Sequence, residues 1–140
     1  LDPSAFNPFH LVVAGADGAL LWWYDGDRSG LEGLGPGLHL VTEGSPHGLG
    51  PRGEAVRARW PMDPSPARLR EVLTLHAPAH PSPTCIHQDP RYGTRSATVL
   101  RLTPGLRHAE LYAADGRPCT APLEDRSALL QALAGPRPTP

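Results

Sequence analysis

Apolar side chains come in short runs divided by turn residues in the first forty positions. Residues 10–16, HLVVAGA, and 19–25, ALLWWYD, flank Asp17-Gly18. Runs rich in β-branched and aromatic residues around a dipeptide that tolerates positive φ predict a hairpin. Residues 26–30, GDRSG, predict a second turn. Residues 38–42, LHLVT, predict a short third strand just after Pro36-Gly37. Neighbours on a strand point to opposite faces, so Trp22, Trp23 and Tyr24 cannot all enter one core. At least one large ring is directed to the other face, against a second layer or as a pocket wall.

From Glu43 to Pro64 the chain reads mostly as loop, because SPHGLGPRGE has too few apolar residues to be buried. Ser65 then supplies an N-cap with Pro66 at the first helical position. Leu69, Val72, Leu73 and His76 follow at helical spacing and predict a helix over 67–76, ended by Pro78, Pro81 and Pro83. Cys85–His87 fits a short strand. Residues 95–103 pair with 107–114 across Pro104-Gly105, and 125–134, DRSALLQALA, fit a closing helix. The pattern describes one α+β domain over 1–134, built on antiparallel hairpins with one or two helices, and a disordered tail over 135–140.

Composition narrows the function classes. Hydrophobic residues make up 39% of 140, and 18 prolines with 15 glycines predict long loops. Thirteen basic and fourteen acidic residues give a net charge of -1, and no basic run exceeds two residues. A surface that tracks nucleic-acid phosphates therefore has no support. No stretch approaches the roughly 18 apolar residues that span a bilayer, and the first residues do not read as a signal peptide. Two cysteines, Cys85 and Cys119, read as free thiols of a cytoplasmic protein, with a single bridge as the other option.

Candidate chemistry gathers in 76–96. His76, His80, Cys85 and His87 are all metal-binding types within twelve residues, but their spacing is no finger pattern, so a loop with scattered histidines stands ahead of a metal set. His87 and Cys85 are also of the types that ligate haem iron. A thiolate–imidazole nucleophile is a third option, against a structural cysteine. Tyr92-Gly93-Thr94-Arg95-Ser96 is the densest run: a tight turn, a guanidinium suited to carboxylate or phosphate, and two hydroxyls at a strand entrance. It is either a turn with an internal salt bridge or a ligand site. Among the motif signatures weighed, no phosphate-binding loop, dinucleotide fingerprint, HExxH or nucleophile elbow occurs.

Several of these runs fall in the order of one family. FNPFHLVVAG, a hairpin carrying W-Y-DG, the GLHLVTEG segment, CIH and above all YGTRSATVLRL resemble the C-terminal half of the NRDE, or TANGO2 (transport and Golgi organisation 2), family, over about residues 6–115. The resemblance implies a partial four-layer αββα sandwich like that of N-terminal-nucleophile (Ntn) hydrolases. It implies binding or trafficking of a small hydrophobic ligand, such as haem or an acylated cofactor, with Tyr92, Thr94, Arg95, Ser96 and Trp23 as contacts and His87 or Cys85 as haem or metal candidates. The alternative is part of an Ntn-type cysteine amidohydrolase or acyltransferase, or a remnant without activity. The family's terminal cysteine and N-R-D-E run have no counterpart in this sequence, and an acid near Glu43 stands where the family has an asparagine. No catalytic residue is therefore assigned. An exposed sheet edge, where the first half of the domain would pair, suits a homodimer.

Overall fold

A computed structural model describes residues 2–15, 18–88, 92–106 and 108–133. They form an α+β chain of two antiparallel three-stranded sheets and three helices. The chain divides into two compact units, one ending at Glu54 and the other beginning at Ala55.

In the first unit, β1 (Phe9–Gly15) and β2 (Gly18–Tyr24) form the expected hairpin, with Phe9 opposite Tyr24 and Gly15 opposite Gly18. Asp17 of the predicted turn lies outside the described residues. The third strand comes earlier than the sequence suggests. It is β3 (Ser29–Leu34), not 38–42. An Asx turn brings it back: the Asp25 carboxylate accepts from the amides of Asp27 (3.0 Å) and Arg28 (2.7 Å), and Asp25 N–H donates to Arg28 O. Those amide bonds, with the nearby Arg28 guanidinium, hold the Asp25 carboxyl below the usual carboxylate range. The 38–42 segment fails as a strand because Thr42 and Ser45 close on each other through two backbone bonds, and Pro46 follows.

The alternation on β2 resolves its aromatics. Trp22 and Tyr24 share a face with Phe9, whose ring meets Trp22 edge-on at 4.9 Å. Tyr24 is buried and donates its hydroxyl to Gly26 O (2.8 Å). Leu11, Val13, Leu20 and Leu31 continue that face by register, and all four are exposed. Trp23 turns to the other face with the fully buried Leu21.

A helix, α1 (Pro51–Arg57), occupies part of the stretch read as loop. Pro51 starts it, Glu54 lies in its first turn and Arg57 in its last, as the helix dipole favours. Its buried position is Gly53, so hydrophobic counting had nothing to register.

In the second unit, α2 (Pro66–Leu73) begins at Ser65 as predicted but ends before His76. The next segment takes the carbonyls that would extend it: the Thr84 hydroxyl donates to Val72 O (2.5 Å) and Cys85 N–H to Leu75 O (2.8 Å). Strands β4 (Ser96–Arg101) and β5 (Glu110–Asp115) pair as expected, with Ala97 opposite Ala114 and Val99 opposite Tyr112. Val99 and Ala114 are buried on the core side, where α2 packs against β4. A two-residue strand, β6 (Glu124–Asp125), adds to β5, and α3 (Ser127–Leu133) packs on β5. The described residues thus form three α-helices where one or two were expected. The tail over 135–140 lies outside the described residues. Among the described residues no helix is long and apolar enough to cross a membrane.

Candidate functional site

Two chain segments meet next to the β4–β5 pair. The first is the hairpin pair made by residues 84–88 and 92–95. His87 and Gly93 form an antiparallel bridge, and Thr94 N–H donates to Ile86 O (3.0 Å). The Thr94 hydroxyl accepts from Ile86 N–H (2.8 Å) and donates to Thr84 O (3.4 Å). Gly93 has φ 153°, and a Cβ there would strike the Ile86 carbonyl oxygen, so only glycine closes the strands this tightly. The second segment is the turn after β5. Gly116 N–H donates to Arg95 O (2.9 Å), and the amides of Thr120 and Ala121 both close onto Arg117 O.

Between these segments lies an open cavity of about 630 Å³ that gathers Tyr92, Thr94, Arg95 and Ser96 with Asp115 and Arg117. Four of the five predicted ligand contacts therefore share one wall. The Thr94 hydroxyl is committed to the hairpin, so it shapes the cavity from behind. Arg95 is exposed, and its guanidinium makes no hydrogen bond or ion pair among the described residues. Among the described residues the internal salt bridge considered from the sequence does not form with Arg95. Among the described lining residues two guanidiniums stand beside one carboxylate, a balance suited to an anionic group.

Trp23, the fifth contact, sits elsewhere. It lines a cavity of about 870 Å³ within the first unit, together with Tyr24, Glu43 and Ser45. Its indole N–H donates to Glu32 (3.2 Å), and Glu32 also meets His47 at 3.5 Å. Glu43 is ion-paired with Arg52, and the hydrogen bond from Arg52 holds its carboxyl below the usual range.

The second constellation is a triangle of metal-ligand atoms. Cys85 Sγ lies 3.3 Å from His87 Nε2 and 3.5 Å from Cys119 Sγ, and His87 Nε2 lies 3.2 Å from Cys119 Sγ. No disulfide joins the two sulfurs; Cys85 is fully buried and Cys119 half-buried. Burial pushes the Cys85 thiol up. His87 is exposed, yet desolvation first, then Arg117 and His76, push its pKa down and favour the neutral ring. Its ring stacks on His76 at 5.3 Å, while His76 Nδ1 faces Thr74 O at 3.0 Å. His76 and His80 lie outside the triangle.

Arg70 on α2 donates to Pro118 O (3.3 Å), which fixes the turn carrying Cys119. The same helix end anchors Thr84 and Cys85, so one scaffold sets both sides of the triangle. Sequence reading found Cys85 and His87 and named Cys119 only as a free thiol or a bridge partner of Cys85; it missed Asp115 and Arg117. Thirty-four positions separate the two cysteines, and only the β4–β5 register, which places Asp115 opposite Ser96, could have brought the later turn to the hairpin.

The chain matches no protein-family model, no curated protein and no solved structure.

Proposed function

We propose that this chain binds and carries an anionic, otherwise apolar small molecule, such as haem or an acylated cofactor, as the C-terminal part of an NRDE/TANGO2-type domain. One observation carries the reading: the Tyr92–Ser96 run and the Asp115–Arg117 turn line one open cavity, and among the described residues the exposed Arg95 in it has no ion-pair partner. Haem propionates and cofactor phosphates are both planar or tetrahedral oxyanions that a guanidinium grips through two hydrogen bonds.

Axial ligation of a haem iron plays no part in this reading. Cys85 is fully buried and His87 Nε2 is engaged by two sulfurs, so the anchor is the oxyanion end of the ligand. The exposed apolar face of Leu11, Val13, Leu20 and Leu31 is what a sheet needs when another layer covers it, which supports a layered αββα arrangement.

The test is titration of the purified chain with hemin and, separately, with palmitoyl-coenzyme A, followed by calorimetry and haem absorption. Arg95→Ala is expected to weaken the bound ligand about tenfold to a hundredfold, the worth of one charged hydrogen-bonded contact. The exposed side chain leaves thermal stability unchanged. Failure of both compounds to bind above a control protein, or equal binding by Arg95→Ala, overturns the reading.

A further inference from the structure

We propose that Cys85, His87 and Cys119 form a binding site for a zinc-class divalent cation, with two thiolates and one imidazole as ligands and a fourth position for water or an exchangeable anion. This site is separate in its donor atoms from the Arg95 cavity and does not depend on the ligand proposed for it.

The geometry is that of a tetrahedral face. Zinc–sulfur bonds of about 2.3 Å and zinc–nitrogen bonds of about 2.0 Å at tetrahedral angles put the two sulfurs about 3.8 Å apart and each sulfur about 3.5 Å from the nitrogen. The observed edges are 3.5, 3.3 and 3.2 Å. Each edge opens by only a few tenths of an ångström to receive the ion. The three atoms converge from chain positions as far as 34 residues apart.

The supports around the ligands are those a metal site uses. Cys85 is held by its amide on Leu75 O, and His87 by its bridge to Gly93. Cys119 follows the buried Pro118, whose carbonyl is fixed by Arg70. His76 stacks on the His87 ring and orients it. Two sulfurs and one nitrogen select borderline-soft ions over magnesium or calcium. Two thiolates cancel the charge of a divalent ion, and both protons leave to solvent as it binds. Exposure of His87 and partial exposure of Cys119 give the ion an entry path.

The experiment uses the full chain, reduced and stripped of metal, titrated with cobalt(II) and then displaced by zinc(II) against a chromophoric chelator. Thiolate-to-cobalt charge-transfer absorption with tetrahedral d–d bands is expected, both lost on adding zinc. Cys119→Ser and His87→Gln, at solvent-reached positions, are expected to weaken zinc by a hundredfold or more while circular dichroism stays unchanged. His76→Ala, outside the ligand set, is expected to change affinity by less than about tenfold. Absence of the charge-transfer band, or zinc binding by Cys119→Ser equal to that of the unmodified chain, overturns the proposal. So does a chain that takes no metal when reduced and uses the two cysteines only as a reversible disulfide.

Discussion

The indole of Trp23 lies over the backbone of Gly30, its partner across β2 and β3: a methyl group on Gly30 would stand 2.6 Å from Trp23 Cε2. The missing side chain is what lets the ring lie flat across the strand pair and reach Glu32 with its N–H. A glycine that reads as a turn signal in the sequence is thus a strand residue chosen for the ring above it.

Gly30→Ala is therefore expected to destabilise the first unit by about 1–3 kcal/mol through overpacking. The ring must rotate, and its bond to Glu32 is lost with it. Denaturant unfolding followed by tryptophan emission measures both effects. Unchanged stability with an unshifted emission maximum contradicts the stacking role of Trp23.

Much of the architecture was legible because short-range rules decide it. The β1–β2 and β4–β5 hairpins follow from alternation around turn dipeptides, and α2 from its Ser-Pro start. What failed depended on particular side chains that the hydrophobic pattern does not register. β3 returns through the Asp25 turn and accepts the Trp23 ring because position 30 is glycine, and α2 ends early where Thr84 and Cys85 take its carbonyls. The same division holds for the site. The Tyr92–Ser96 run was visible as chemistry, whereas Arg117 joins it, and Cys119 joins Cys85 and His87, only through the turn after β5.

Gly93 is a stricter case than Gly30. Its φ of 153° lies where side chains are strained, and a Cβ would meet the Ile86 carbonyl, which is backbone and cannot swing away. Gly93→Ala should cost roughly 2–4 kcal/mol. It should also open the His87–Gly93 bridge. The Arg95 cavity and the sulfur–imidazole triangle share that hairpin, so one substitution is expected to weaken anion and metal binding together. Loss of one without the other would show that the hairpin does not hold both.

Thr94 lines the cavity, but its hydroxyl is spent on the hairpin, accepting from Ile86 N–H and donating to Thr84 O. Thr94→Val keeps the shape and strands the Ile86 amide, at about 1–3 kcal/mol. Thr94→Ser keeps the hydroxyl and is expected to recover most of that loss. Chemical denaturation of the pair separates this role from a ligand contact: a ligand contact would change affinity with stability intact.

The entrance to α3 carries an acid dependence. Asp125 accepts from Ser127 N–H at 2.8 Å, and the Ser127 oxygen accepts from Leu111 N–H at 3.1 Å, so a short chain of bonds joins β6, α3 and β5. The Ser127 hydroxyl first, then its amide, holds the Asp125 carboxyl below the usual carboxylate range. A carboxyl depressed in the folded state stabilises it fully above the unfolded value, about 3.9, and that contribution is lost as pH falls through the folded value. Ser127→Ala should move the Asp125 titration up toward the ordinary carboxylate value, read from the carboxyl carbon shift by NMR. It should also speed hydrogen exchange at Leu111, whose amide loses its acceptor. An Asp125 that already titrates at the ordinary value, or a Leu111 amide indifferent to the substitution, would break the chain of bonds at that step.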